Sequence, residues 1–148
     1  MILVDTSAAL QLASSTAQRH ADVVEVVDKL AGPFLLSPFV LAELDYMLGT
    51  RHGQAAQLAM LDEVADGAYE LAEFGRVDVT SATKVIRQYE DLRIGLADAS
   101  IVVLAEKHEA VDVLTFDARH FRAMLGPGGR PFRLLPDDYQ GNEEADPR

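Results

Sequence analysis

Short apolar runs that each end at a residue suited to starting a helix narrow the folds open to this chain more than any other feature. Met1-Ile2-Leu3-Val4 leads into Asp5-Thr6-Ser7, Phe34-Leu35-Leu36 into Ser37-Pro38, and Val113-Leu114-Thr115-Phe116 into Asp117. None of these runs alternates apolar with polar residues, so each reads as a strand buried on both faces. Segments of helical length and pattern separate them. Short strands alternating with helices specify an α/β fold, with a short central parallel sheet flanked by helices.

The helices are delimited by their own punctuation. Ala8 to Ala13 forms the first, and Ala17 to Leu30 the second, with Val23, Val26, Val27 and Leu30 on one stripe and Gly32-Pro33 as the stop. Ser37-Pro38 supplies a cap and a first-turn proline for a helix from Pro38 to about Leu48, ending at Gly49. A helix from Gln54 to Ala65 closes at Gly67, and Tyr69-Glu70-Leu71 is a weak strand. Asp78-Val79-Thr80-Ser81 starts a helix whose stripe is Val85, Ile86 and Tyr89. Leu96 to His108 is apolar nearly all round, which marks it as the central helix. A short helix near Ala118 to Leu125, a glycine-rich loop at 126–129 and a last strand near Phe132 to Leu134 complete the pattern.

With 148 residues, 49% of them hydrophobic, the chain is long enough for one domain with a real core and too short for two. The expected domain is 1–136, followed by an acidic, disordered tail at 137–148. No stretch approaches a membrane span, and Asp5 interrupts any leader-like start, so a cytoplasmic protein without membrane association is expected. The absence of cysteine excludes disulfides, thiolate metal sites and cysteine nucleophiles.

The net charge of −11 argues at first against a nucleic-acid partner, because phosphate binding normally rests on a basic surface. Its distribution softens that argument. The segment 137–148 holds five acids against one arginine, whereas 117–133 holds Arg119, Arg122, Arg130 and Arg133 against Asp117 alone. A basic rim of Arg119 and Arg122, helped by Arg93 and Arg130, is the expected grip on RNA; a merely solvated face is the alternative. His20, His52, His108 and His120 share no spacing and read as structural, with His120 also in place for a phosphate contact.

In an open parallel sheet the site lies beyond the carboxyl ends of the strands. Asp5 and Asp117 directly follow strands, and Asp98 falls in the first turn of the central helix, where free backbone amides favour negative charge. Each of the three has a plain structural reading as well, Asp98 as a helix cap and the other two as turn formers. Glu43 has Phe39, Val40, Tyr46 and Met47 as helix-face neighbours, but Asp45 is almost as oddly placed, and periodicity does not choose between them. Two carboxylates ~5 Å apart repel by roughly 3 kcal/mol at an effective dielectric of ~20, so a convergent set calls for a cation. Oxygen ligands without cysteine or paired histidine point to Mg²⁺ or Mn²⁺.

Four motifs in order carry a family resemblance: Asp5-Thr6-Ser7-Ala8; Ser37-Pro38 through Val40-Leu41-Ala42-Glu43; Gly95-Leu96-Ala97-Asp98-Ala99; and Leu114-Thr115-Phe116-Asp117-Ala118-Arg119-His120-Phe121. From Met1 to about Leu135 the chain resembles the PIN domain, in particular the VapC-type toxins of bacterial toxin-antitoxin pairs. The resemblance implies a PIN-like three-layer α/β/α fold and a metal-dependent endoribonuclease cutting single-stranded or loop RNA. Its acidic quartet falls on Asp5, Glu43, Asp98 and Asp117, and its strand-end hydroxyls on Thr6 and Thr115. It further implies one or two Mg²⁺ or Mn²⁺ ions held mainly by Asp5, Asp98 and Asp117, with Glu43 holding a second ion or orienting the water. Thr6 and Thr115 would fix carboxylate rotamers. A homodimer and a cognate VapB-type antitoxin are implied too, the antitoxin's carboxy-terminal segment lying over the acidic site in a hetero-oligomer.

Other acid-dependent functions lack specific residues. A haloacid-dehalogenase-like phosphatase needs a second aspartate where this chain has Ser7, and a metal-dependent adhesion motif that starts at Asp5-x-Ser7 ends at Ala9. A receiver domain needs an acidic pair near the first strand and a lysine after a late one, and neither is present. A catalytically silent PIN fold serving as a binding or scaffolding module is the remaining alternative, and retention of all four acids argues against it.

Overall fold

The computed structural model describes residues 1–140. Five strands, β1 (Ile2–Val4), β2 (Phe34–Leu36), β3 (Glu70–Leu71), β4 (Asp112–Leu114) and β5 (Arg133–Leu135), form one sheet in the order β3-β2-β1-β4-β5. Every neighbouring pair is parallel. The helices are α1 (Thr6–Ala13), α2 (His20–Lys29), α3 (Pro38–Arg51), α4 (Gln54–Ala65), α5 (Arg76–Gln88), α6 (Leu96–His108) and α7 (Ala118–Ala123). The expected three-layer arrangement is therefore present.

Strand register explains why the runs are apolar throughout. Leu35, Leu3, Val113 and Leu134 are paired across four strands and share the larger core with residues of α3, α5 and α6. Ile2, Leu114 and Leu135 belong to a smaller cluster with Ala8 of α1, Val23 of α2 and partly buried Val27 and Leu30. Both faces of the central strands are thus covered, so a polar residue at either parity would be buried. α6 is central as its sequence predicts: Ala99, Ser100, Ile101, Val103, Leu104 and Ala105 are all buried. The hydroxyl in that row is satisfied, since Ser100 meets Ser37 at 2.6 Å and donates to the Ala97 carbonyl.

The strand order places the site. From β1 the chain moves outward to β2 and β3, then returns to the other side of β1 for β4 and β5. The order reverses between β1 and β4, and the crevice beyond the carboxyl ends of those two strands is where an open α/β sheet accepts a ligand. Asp5 and Asp117 follow these two strands.

Several helix limits differ from the sequence reading. α3 runs through Gly49 to Arg51, because Gly49 is an approach point for α4: an added Cβ would stand 3.2 Å from the Gln57 side chain. The chain reverses at Gly53, where φ is +87° and glycine is free of the Cβ clash. α5 begins at Arg76, since Asp78 is not the cap but the third helical residue, reaching back to accept from the Gly75 amide at 2.8 Å. α2 begins at His20, after turns at 14–20. The segment expected as a free tail from Asp137 is folded over its first residues. The Asp138 carboxylate accepts from the Leu134 amide and takes both guanidinium nitrogens of Arg122, and Tyr139 packs on the smaller cluster. The remainder of the expected tail, 141–148, lies outside the described residues.

Leu104, fully buried on α6, is the position where this packing is most simply tested. Leu104→Ala is expected to lower unfolding free energy by about 2 to 5 kcal/mol in urea denaturation, whereas Val77→Ala, at a residue 78% exposed, should change it by less than about 0.5 kcal/mol. Equal effects would contradict the placement of α6 at the centre.

Candidate active site

A cavity of ≈ 420 Å³ opens at the carboxyl edge of the sheet, and Asp5, Glu43, Asp98, Asp117 and His120 all line it. Thr6, Ser7 and Met47 contribute to the wall, with Gly95 to Ala97 at the start of α6. Four different elements deliver the acids: the end of β1, the second turn of α3, the first turn of α6, and the residue before α7. A larger cavity of ≈ 450 Å³ lies between α5 and α6, but its ionic groups are Asp78, Glu106 and Lys107, with Lys107 bound to Asp78. Of these two, the first brings four carboxylates together with no lysine or arginine in its lining.

Asp5 is 5% exposed. Its Oδ2 accepts from Ser7 Oγ at 2.7 Å and from Thr115 Oγ1 at 2.8 Å. Those hydroxyls are fixed in turn, because Ser7 Oγ accepts from the Phe116 amide at 2.9 Å and Thr115 Oγ1 from the Asp117 amide at 3.0 Å. The backbone continues the sheet ladder here: Asp5 donates to the Leu114 carbonyl and Thr115 to the Leu135 carbonyl. Burial pushes the Asp5 carboxyl above the usual carboxylate range, although the Ser7 and Thr115 bonds pull the other way. Asp5 makes no side-chain cap bond to α1, so turn capping does not explain it.

Asp98 and Asp78 occupy the same helical position, the third residue after an N-cap glycine, and behave oppositely. Asp78 bonds its glycine amide, which holds its carboxyl below the ordinary range. Asp98 instead turns to His120, with 3.2 Å between Oδ2 and Nδ1. Burial, then the nearby Asp5 charge, lifts the Asp98 carboxyl, while His120 partly offsets this. Capping is therefore not its role.

Glu43 is exposed at the lip and accepts from Thr6 Oγ1 at 3.3 Å. Its rival Asp45 takes the Gln57 amide at 2.7 Å and ties α3 to α4. Asp117 is exposed and lines the cavity. The sequence reading missed Ser7 as a site residue, treating it as part of a helix cap. Its signal was its position two residues after Asp5, in the first turn of the helix that follows β1. His120, read as structural or as a phosphate contact, is paired with Asp98.

None of the four arginines expected to grip RNA lines the cavity. Arg119 and Arg93 are exposed, Arg93 at a left-handed φ of 51°. Arg130 Nε donates to the Pro127 carbonyl, and Arg122 is engaged by Asp138 at 2.6 Å through both terminal nitrogens.

Among the described residues, no three histidine, aspartate or glutamate side chains form a closed cage around a single point. The donor set nonetheless suits Mg²⁺ or Mn²⁺, which keep several waters and take only one or two carboxylates alongside substrate phosphate. Clustered oxygen donors, two of them destabilised as anions, supply the charge such an ion would offset.

Comparison with known proteins gives the family and the fold. The family model for the PIN domain matches residues 2–124. Ribonuclease VapC26 of Mycobacterium tuberculosis is 43% identical over 135 residues, spanning 91% of this chain and 100% of that protein. The crystal structure of Mycobacterium tuberculosis VapC20, a sarcin-ricin-loop-cleaving toxin, shares the fold at TM-score 0.75 and 19% identity, covering 80% of this chain and 91% of that one. A toxin-antitoxin complex from Klebsiella pneumoniae contains a chain matching at TM-score 0.62 and 14% identity, over 84% of this chain and 92% of its own.

The raised carboxyls give the metal-free protein a definite pH dependence. Asp5 and Asp98 hold protons more tightly folded than at the ordinary 3.8, so folding favours their protonated forms. Stability without divalent cation should fall as pH rises from 3.8 through the folded values, and Asp98→Asn should flatten that fall. Melting temperatures recorded in a chelator across this range, identical for the variant and the parent, would show that Asp98 carries no such strain.

Proposed function

The chain belongs to the PIN-domain family, and we propose that it acts as a VapC-type endoribonuclease, hydrolysing RNA phosphodiester bonds with Mg²⁺ or Mn²⁺ as the toxin of a toxin-antitoxin pair. The observation that carries this reading is the meeting of Asp5, Glu43, Asp98 and Asp117 on one cavity at the switch point of the sheet. The 43% identity to Ribonuclease VapC26 over nearly the whole chain supports the same chemistry.

Asp5, Asp98 and Asp117 would hold the cation, which when bound lowers the pKa of an attacking water and offsets charge developing on the phosphate. Asp5 is the anchor, since Ser7 and Thr115 lock one oxygen and leave the other available. Glu43, more exposed and held by Thr6, would orient the water by accepting its hydrogen bond. A silent binding module would have no use for three acids each supplied with a dedicated hydrogen-bond donor.

Arg119, two residues beyond Asp117, is the basic side chain best placed to meet an RNA phosphate, with Arg93 and Arg130 in support. Arg122 would join only when its Asp138 pair opens. The toxin-antitoxin complex from Klebsiella pneumoniae supports an antitoxin partner, and the family resemblance a VapB-type one and a homodimer. An arginine or lysine of that partner, inserted among the carboxylates, would neutralise the cavity as a cation does.

Two measurements test this. Asp5→Asn and Asp98→Asn should each lower the cleavage rate by at least ~100-fold, the scale of removing one charge partner at a reacting centre, and should relieve growth arrest on expression in a bacterium. Undiminished cleavage by either variant would sink the mechanism. Arg119→Ala should raise KM for RNA and flatten the log-log salt dependence of binding by about 0.7, the loss of one single-strand phosphate contact. An unchanged slope would leave Arg119 a solvated side chain.

A further inference from the structure

Three of the four cavity acids accept a hydrogen bond from a non-acidic side chain. Asp5 takes Ser7 and Thr115, Glu43 takes Thr6, and Asp98 takes His120. The hydroxyls sit at strand ends or the first helical turn beside their acids. Thr6 of α1 reaches Glu43 on α3, and His120, one turn past Asp117 on α7, bridges to Asp98 on α6.

We propose that His120 is a positioning residue that holds the Asp98 carboxylate in the cavity and out of the capping rotamer its own helix would otherwise offer. The argument rests on the metal-dependent ribonuclease reading and deepens it. A carboxylate can only accept, so Nδ1 carries the hydrogen and the bond fixes which nitrogen does so. The competing state is visible elsewhere in the molecule: Asp78, at the equivalent position of α5, swings back to its N-cap glycine amide. Gly95 heads α6 as Gly75 heads α5, and both have extended backbone at the cap (φ −93° and −100°). The cap backbone therefore does not distinguish the two aspartates. Asp78 keeps its glycine bond while Lys107 reaches the same oxygen at 3.3 Å, at a partly exposed site, whereas Asp98 bonds His120 instead, with both side chains about four-fifths buried. Without that donor, Asp98 would satisfy the Gly95 amide and withdraw a ligand from the cation site.

The test uses Mn²⁺ alone, titrated calorimetrically into the chelator-stripped full chain without RNA. His120→Ala should weaken Mn²⁺ binding by about 10 to 100-fold, and His120→Asn, whose amide nitrogen falls near the position of Nδ1, should recover most of it, whereas His120→Gln, matching Nε2, should not. In the alanine variant the Gly95 amide proton should move downfield as it gains the carboxylate. Mn²⁺ affinity unchanged in His120→Ala would overturn the proposal. So would unchanged Mn²⁺ affinity with a raised KM for RNA, which would make His120 a phosphate contact instead. Parent protein that binds no Mn²⁺ would overturn this inference and the metal-dependent reading together, whereas binding by parent and alanine variant alike would remove only the role of His120.

Discussion

A carboxylate at the end of the central strand, taken almost wholly out of water, is the constraint around which this molecule is arranged. Asp5 is 5% exposed and its carboxyl is raised by burial, so an ionised Asp5 needs donors held ready for it. Ser7 and Thr115 provide them, and both are themselves fixed by backbone amides from the segment that follows β4. The same bonds that steady the carboxylate staple the β1–α1 junction to the β4–α7 junction. Removing a hydroxyl would leave part of a buried anion unsatisfied, the expensive kind of loss in a hydrogen-bond network.

Around this anchor the other acids are graded by exposure. Asp98 is partly buried and feels the charge of Asp5, while Glu43 and Asp117 stand in solvent at the rim. The gradient suits a site that must admit a polyanion: a rigid inner carboxylate fixes position, and outer ones can adjust as phosphate and water arrive. Asp78 and Asp98 show how little local sequence decides here. Both follow a glycine by three residues at a helix start, yet one caps its helix with a lowered pKa and the other faces the cavity with a raised one.

The acidity of the chain is managed locally. Asp138 neutralises Arg122, Asp112 pairs with Arg133, and Asp22 and Asp137 approach Arg19, whose guanidinium also lies over the Phe116 ring at 4.1 Å. Arg119 and Arg93 are left exposed on a protein of net charge −11. The basic excess counted along 117–133 thus shrinks once pairing is considered, because two of its four arginines, Arg122 and Arg133, are paired within the fold.

Element type and order were legible in the sequence, because the three central strands are built on apolar runs needed to fill two faces and the segments between them carry helical apolar stripes. The positions of Asp5 and Asp117 at strand ends followed from the same pattern, as did the centrality of α6. Tertiary structure alone decided the rest. Glu43 and Asp45 lie two residues apart on one helix, and only the presence of Gln57 on α4 makes Asp45 a packing residue. Gly49 looks like a helix stop until α4 is seen to lie against it. The links from Ser7 to Thr115 and from His120 to Asp98 span 108 and 22 residues, and hydrogen bonds across such separations depend on strand order, which short-range periodicity does not encode.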